Sequence, residues 1–427
     1  MNLVKTENKK QKELFDYGVA FASAILIITG TFSPIFSIAA FLLNIIYAYF
    51  SSPEKIFYQL FFLLAFANVF KLSPTSTSLF TYLELFVIAK IIFFEKKIKR
   101  NFFVAWLILF IYILIGSQSD FTIVIKQALI PLIIYCFCNV ARPDLKKIAY
   151  FTLMGLFISG IIALNVELFP SISNYIRFEK VYDANLDDIY RFSGLYSDPN
   201  YYSLMLLIST SCMLLISLYT KNVKFKIKLI LCMVIVAFLG AKTVSKSFIL
   251  MFGIVFVLYV ILLFKNKKYI LGIVASLLVV TIVVLILYNK IPIFENVIAR
   301  LKEGTDITTG RADIWKQYIS FFKDDSIKIL FGNGLGQGYL NGNAAHNTYI
   351  DFLYYYGIFG SIVFVTNCLM AIPKITNIKI DNFYLIFVVT IMLYFLSAIM
   401  YFDFAFTLAI SLYLLTLDLN NKFNYDK

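Results

Sequence analysis

The chain has 427 residues, a net charge of +13 and a mean hydropathy of +0.82, and 60% of its residues are hydrophobic. A soluble globular domain is only about 45–50% apolar, so this composition excludes a soluble protein. The Lys and Arg residues are concentrated in short segments between apolar runs, as topology signals are. This distribution argues against a nucleic-acid-binding protein.

Apolar runs of roughly the length needed to cross a bilayer recur along the whole chain, and they predict an all-α polytopic integral membrane protein. Because several runs are short, we expect 12 to 14 transmembrane helices in a single membrane domain that spans residues 1–427. The candidate spans are 17–31, 34–50, 56–70, 79–94, 102–116, 121–140, 148–168, 200–219, 226–241, 247–264, 269–288, 347–370, 382–400 and 403–419.

The positions of Lys and Arg predict that both termini are cytoplasmic. With this orientation the cytoplasmic segments carry 23 of these residues and the short external loops carry 3, in agreement with the positive-inside rule. Two long loops, 169–199 and 289–346, then lie outside. In the second, apolar residues recur at helical spacing over Arg311–Lys323. This pattern predicts an amphipathic helix that lies on the outer membrane surface or covers a cavity.

Three predicted spans begin on the outer side directly after cationic and polar residues. The preceding segments are Tyr190–Asn200, Lys242–Ser247 and the glycine-rich Gly332–Asn347. A helix N-terminus has unpaired N–H groups and a partial positive charge, so it attracts phosphate. The sequence therefore predicts a site for a lipid-linked phosphate at the outer interface. Its candidate cationic residues are Arg191, Lys246, His346, which is the only histidine, and Arg311 from the large loop.

Several of these residues also have an ordinary structural interpretation. Asp198 followed by Pro199 is typical of an N-cap and the first helical position, and Asn347 is placed to cap its own span. Arg191 shares its loop with several Asp residues, and an arginine in such a loop is, taken alone, more often a solvated charge. The glycines that begin at Gly332 are typical turn formers and do not form a Walker motif.

Six short motifs follow one another over about 190–360: Arg191-Phe-Ser-Gly-Leu-Tyr-Ser-Asp-Pro-Asn200, Thr243-Val-Ser-Lys-Ser247, Gly310-Arg-Ala-Asp-Ile-Trp315, Gly332-Asn-Gly-Leu-Gly336, His346-Asn-Thr-Tyr-Ile350 and Tyr356-Gly-Ile-Phe-Gly360. Their order, the long external loop and the many spans together resemble the O-antigen polymerase and O-antigen ligase superfamily of bacterial cell-surface polysaccharide assembly. The family's second motif usually ends in Ser-Arg. Here it has Ser245-Lys246, which keeps the charge but loses the arginine fork.

The resemblance implies a glycosyltransferase whose donor is a glycan on undecaprenyl pyrophosphate. An acceptor hydroxyl attacks the anomeric carbon and the lipid pyrophosphate leaves. The predicted catalytic residues are His346, Arg311 and Arg191. The arginines stabilise the leaving pyrophosphate, while His346 either removes the acceptor proton or binds the pyrophosphate. The predicted substrate-binding residues are Lys246, Asp198, Asn200 and Asn347. Asp198 is also a reserve base, and we expect no metal or other cofactor.

We favour a polymerase of O-antigen or capsular repeat units, because such enzymes are numerous and divergent and this composition is consistent with an AT-rich genome. The alternative within the family is a ligase that transfers the glycan to lipid A core. A lipid-linked oligosaccharide flippase is the alternative of another class, and it would place functional charges in the middle of spans.

The expected location is the bacterial cytoplasmic membrane, with the site facing the periplasm or the cell exterior. The expected partners are the undecaprenyl-pyrophosphate-linked donor and acceptor, membrane lipids, and the chain-length regulator and flippase of the same pathway. No nucleic-acid partner is expected.

Overall fold

The computed structural model describes residues 2–95, 98–116, 121–176, 180–183, 186–219, 223–264, 311–335, 338–373 and 403–414. Its helices are α1 (Asn2–Gly30), α2 (Pro34–Phe50), α3 (Pro53–Leu63), α4 (Leu79–Glu95), α5 (Arg100–Gly116), α6 (Phe121–Tyr135), α7 (Leu145–Leu164), α8 (Pro199–Tyr219), α9 (Val223–Lys242), α10 (Lys246–Phe264), α11 (Arg311–Asp324), α12 (Ser326–Phe331), α13 (Thr348–Met370) and α14 (Asp403–Leu414). A π-helical turn, Cys136–Ala141, extends α6, and short 3-10 turns lie at Leu64–Phe66, Val166–Leu168, Pro170–Asn174 and Leu340–Gly342.

The predicted polytopic helical fold is confirmed. Among the described residues, five helices are long and apolar enough to cross a membrane, and three shorter apolar helices accompany them. Most helix bounds follow the predicted spans within a few residues, because each run ends where polar or turn-forming residues begin. The predicted spans at 269–288 and 382–400 lie outside the described residues, so the count of 12 to 14 stays a prediction.

The loop predicted at 169–199 contains a small antiparallel hairpin, which the all-α prediction did not include. Its strands are β1 (Lys180–Asp183) and β2 (Leu186–Tyr190), with Lys180 opposite Tyr190 and Asp183 opposite Leu186. Each strand contains a β-branched residue and a tyrosine, and both residue types are enriched in strands. The strands were too short to produce a distinct pattern beside the long apolar runs.

Contacts between connecting segments divide the helix bundle into two ends. At one end, the hydroxyl oxygens of Thr31 and Ser171 lie 2.7 Å apart. At the other end, Asn139 Nδ2 donates to the carbonyl oxygen of Ala371 over 2.6 Å. In both cases the joined segments were predicted to share a side of the membrane. We call the end that contains Thr31 the outer end, following the prediction from the basic residues.

Lys90 of α4 is a buried cation at the opposite end, with 8% of its surface exposed. Its Nζ donates to the carbonyl oxygens of Ala48, over 2.7 Å, and Ser51, over 2.6 Å. These oxygens belong to the last turn and the C-cap of α2, where carbonyl groups lack helical partners and carry a partial negative charge. Lys90 therefore stabilises the packing of α4 on α2.

We expect Lys90→Met to lower the free energy of unfolding by about 1–3 kcal/mol, because it removes charge-assisted hydrogen bonds and leaves two carbonyl groups unpaired. The measurement is the thermal unfolding midpoint in detergent. Lys316→Met is the matched control, since the Lys316 side chain is 77% exposed and pairs with the exposed Asp313 on its own helix, an arrangement that contributes little. Equal midpoints for the two variants would contradict the assignment.

Helix α13 is broken at Gly357, where φ is +64° and ψ is −173°. This left-handed region favours glycine. The predicted span at 347–370 is therefore two pieces, and we call the first, residues 348–356, the half-helix. A Cβ atom on Gly357 would lie 2.3 Å from the backbone nitrogen of Gly332, so the close approach of two backbones also requires glycine.

The segment that fills the break is Gly332–Leu335, which we call the glycine loop. The backbone nitrogen of Asn333 donates to the carbonyl oxygen of Tyr354 over 2.6 Å, and that of Gly334 donates to the carbonyl oxygen of Tyr355 over 3.1 Å. These bonds pair carbonyl groups that a continuous helix would have paired itself. Interrupted helices in membrane proteins need such partners.

Candidate functional site

The N-terminal ends of α8 and α10 meet at the outer end, and one hydrogen-bond network joins them. Arg191 Nη2 donates to Asn200 Oδ1 over 3.2 Å, and Arg191 Nε donates to the carbonyl oxygen of Thr243 over 3.2 Å. Ser245 Oγ donates to the same Asn200 oxygen over 2.8 Å. Arg191 is partly buried. It is therefore not a solvated loop charge; it connects the starts of two helices.

Local capping explains why these residues face one another. Asp198 Oδ1 accepts the Asn200 amide over 2.6 Å, so the predicted cap of α8 is confirmed. Ser245 Oγ accepts the Phe248 amide over 3.3 Å and caps α10. Directly after it stands Lys246, the first residue of α10 and partly buried. The predicted substrate-binding residues Asp198, Asn200 and Lys246 are thus at two adjoining helix starts.

The turn before α10 has a strained backbone. Val244 is buried and adopts φ +50°, a conformation that is unusual for a β-branched residue and costs about 1–3 kcal/mol. The turn places the Thr243 carbonyl group against Arg191 and the Ser245 hydroxyl against Asn200. Tertiary contacts of this kind are what hold a strained turn in place.

His346 is partly buried and has φ +47° at the boundary between the large loop and α13. Burial lowers the pKa of its imidazole below the ordinary value, the positive charge of Arg311 lowers that pKa further, and the carboxylate of Asp198 opposes both effects. Charge interactions of this kind weaken with distance and are screened by solvent. Arg311 and Asp198 are therefore near enough to His346 for their charges to act on its imidazole, and Asp198 also accepts the Asn200 amide.

Two contacts fix the chain on either side of His346. On one side, Trp315 Nε1 donates to the carbonyl oxygen of Ala345 over 2.8 Å. On the other, Asn347 Oδ1 accepts the amides of Tyr349 and Ile350 over 3.0 and 3.3 Å. The predicted capping role of Asn347 is confirmed, because its side-chain oxygen binds amides in the first turn of α13.

Helix α11 carries Arg311 at its N-terminal end, and its apolar side packs on the chain around His346. Tyr318 is buried in a cluster with Ala345 and Tyr354, while Lys316 and Gln317 on the other side are exposed. The predicted amphipathic helix is confirmed over Arg311–Asp324. It covers the end of the large loop and the half-helix.

Together these residues suit an anionic group beside a proton acceptor. Arg191, Arg311 and Lys246 supply positive charge next to helix N-termini, which also favour anions. A lowered pKa keeps the imidazole of His346 neutral near pH 7, and only the neutral form can accept a proton. Cationic groups and a neutral imidazole are therefore available in the same region of the protein.

All seven predicted site residues lie at the outer end. The structure connects Arg191 to Asn200 by hydrogen bonding and His346 to Arg311 and Asp198 through their charges. Sequence reasoning quoted Ser245 and Trp315 inside motifs but did not select them. The N-cap position of Ser245 was a usable signal. No local pattern pointed to the backbone carbonyl of Thr243.

The family model described as O-antigen ligase matches residues 229–365, which is less than half of the chain. No curated protein and no solved structure matches. The matched segment contains Ser245, Arg311 and His346, whereas Arg191 and Asn200 precede it. Over these residues the chain is similar to that family, and the match supports its resemblance to the O-antigen polymerase and O-antigen ligase superfamily.

Proposed function

We propose that the protein is a polysaccharide polymerase, a glycosyltransferase that joins undecaprenyl-pyrophosphate-linked repeat units at the outer face of the cytoplasmic membrane. The observation that carries this proposal is the convergence of four separate segments at the outer end. Arg191 contacts Asn200, whose amide binds Asp198, and the charges of Asp198 and Arg311 both act on His346. A lipid-linked donor presents its pyrophosphate at the membrane surface, at the level of such helix ends.

In the proposed reaction the oxygen of an acceptor sugar hydroxyl forms a bond with the anomeric carbon of the donor. The bond between that carbon and the pyrophosphate oxygen breaks, and its electron pair leaves with undecaprenyl pyrophosphate. The hydroxyl proton passes to the imidazole of His346. Arg191, Arg311 and Lys246 stabilise the negative charge on the leaving group, and Asp198 stabilises the imidazolium that forms. The donor bond supplies the energy, so the reaction needs no ATP.

Between the two roles considered for His346, the lowered pKa favours the base. Burial and the charge of Arg311 both disfavour the imidazolium, and a histidine that binds phosphate through its positive charge is an imidazolium. A neutral imidazole on which the Asp198 carboxylate acts through its charge suits a general base whose imidazolium an acid residue stabilises.

Reconstitution tests the polymerase proposal directly. The purified protein in liposomes, supplied with one lipid-linked repeat unit, is expected to produce a ladder of glycans that differ by whole repeats. Release of undecaprenyl pyrophosphate should accompany each addition. If the repeat unit is consumed without a ladder, or is not consumed, the protein is not a polymerase of that unit.

A ligase is the second candidate, because the matched family model carries that description. It would make one transfer from undecaprenyl pyrophosphate to a different acceptor, such as lipid A core. In the same liposomes a ligase gives a single product only when that acceptor is added, and no ladder without it.

Arg191→Lys is expected to lower transfer about 10–100-fold, since it keeps the charge but loses the fork that contacts both Asn200 and the Thr243 carbonyl group. The measurement is the initial rate of lipid pyrophosphate release in liposomes. Arg100→Lys is the matched control, because Arg100 is exposed at the opposite end and its substitution should leave the rate unchanged. An unchanged rate in Arg191→Lys would contradict this role.

A further inference from the structure

Tyr112 of α5 lies at the break in α13, and it contacts both sides of it. Its hydroxyl oxygen is 2.7 Å from the carbonyl oxygen of Tyr356, the last residue of the half-helix, and 2.8 Å from that of Phe331, next to the glycine loop. Its single proton is shared between these two acceptors. The ring of Tyr112 also lies against Gly360, beyond the break.

Two glycines make room for this contact. A Cβ atom on Gly360 would lie 2.3 Å from Cε1 of the Tyr112 ring, and one on Gly357 would lie against Gly332. The motif Tyr356-Gly-Ile-Phe-Gly360 is thus explained by a break at its first glycine and a slot for a tyrosine ring at its second. Tyr112 itself lies outside the segment that the family model matches.

The half-helix connects this contact to the candidate site. His346 and the cap Asn347 stand at its N-terminal end, and the Tyr112 hydroxyl binds its C-terminal end. Nine residues at about 1.5 Å each make it about 13 Å long, so a tilt of about 10° moves His346 by about 2 Å. A misplacement of about 1 Å can cost about 100-fold in rate.

We propose that Tyr112 is a positioning residue that fixes the direction of the half-helix and so holds His346 beside Arg311 and Asp198. The expected effect of Tyr112 on glycan transfer rests on the proposed function. Its expected effect on the position of His346 does not depend on that function. Without the hydroxyl, the glycine loop still pairs with Tyr354 and Tyr355, so the fold persists while the angle at Gly357 is less restrained.

The test uses the single histidine of the chain. In protein purified with a histidine-free tag and labelled on histidine, ring NMR signals come from His346 alone and report its titration midpoint. The charged groups that face it are Arg311, from α11, and Asp198, before α8. In the wild type the midpoint lies below the ordinary value of about 6.5. In Tyr112→Phe, His346 moves away from Arg311 and out of its buried position, so the midpoint rises toward that value.

Tyr112→Phe is also expected to lower the transfer kcat about 10-fold with little change in KM. Tyr413→Phe is the matched control, because Tyr413 likewise donates to a backbone carbonyl, that of Pro143 over 2.9 Å, at the opposite end. It should change neither the midpoint nor the rate.

A Tyr112→Phe midpoint equal to that of the wild type overturns the inference, whatever the rate does. If the wild type transfers no glycan, the proposed function fails, and the comparison of midpoints still decides the positioning role. If Tyr112→Phe does not accumulate, Gly360→Ala replaces it. The added Cβ atom would lie 2.3 Å from Cε1 of the Tyr112 ring and so displaces its hydroxyl from the break. The midpoint of His346 should rise in this variant too, and an unchanged midpoint overturns the inference equally.

Discussion

His346→Asn is expected to lower glycan transfer about 100- to 10,000-fold, the usual contribution of a general base, while the protein stays folded in the membrane. Asparagine is the suitable replacement because His346 has φ +47°, a region that asparagine tolerates better than most residues. Alanine would add a backbone penalty and confuse loss of the imidazole with loss of local structure.

The effect of His346→Asn is measured in two ways. Gel profiles of surface glycan from cells should lose the long chains, and the liposome assay should lose the ladder. Asn341→Gly is the matched control, since Asn341 is another left-handed non-glycine residue near the end of this loop, with φ +51°, and it is exposed. Normal chain lengths in His346→Asn would rule out a catalytic role for this residue.

The helical part of the fold was largely predictable from the sequence. The predicted span at 34–50 has the bounds of α2, and the amphipathic pattern at Arg311–Lys323 agrees with α11 within one residue. Both cases depend on local information: the length of an apolar run, its periodicity and the polar residues at its ends. The caps Asp198 and Asn347 were predictable for the same reason.

The break in α13 could not be predicted in this way. Thr348–Met370 is apolar enough to appear as one span, and a single glycine within a helical pattern is usually tolerated. The break exists because the glycine loop supplies hydrogen-bond donors for Tyr354 and Tyr355, and that pairing joins segments about twenty residues apart. Tyr112 is separated from the break by 244 residues, so only the folded structure connects them.

The candidate site was partly predictable. The cationic residues Arg191 and Arg311 were identified from their positions before helix starts, but their partners were not. Arg191 contacts Asn200 and the Thr243 carbonyl group because two capping turns meet, and periodicity contains no information on which turns meet. The coupling of His346 to both Arg311 and Asp198 likewise joins three segments that are far apart in sequence.

Arg311→Gln is expected to lower transfer about 100- to 1,000-fold, as the loss of one preorganised group that stabilises transition-state charge usually does. It should also raise the pKa of His346, because the charge of Arg311 lowers that pKa. A general base works in its neutral form, so the rate falls as the pH drops below this pKa. A raised pKa therefore moves the acid limb of the pH–rate profile to higher pH.

Asp198→Asn is expected to change the pKa of His346 in the direction opposite to Arg311→Gln. The carboxylate of Asp198 raises the pKa of His346, so its removal lowers that pKa and moves the acid limb to lower pH. If His346 instead bound pyrophosphate as a cation, the rate would increase as the pH fell through its pKa.

Lys316→Gln, on the exposed side of α11, should leave both the rate and the pH–rate profile unchanged. The histidine NMR midpoint checks each shift independently of activity. A midpoint that stays unchanged or falls in Arg311→Gln would show that Arg311 does not act on His346.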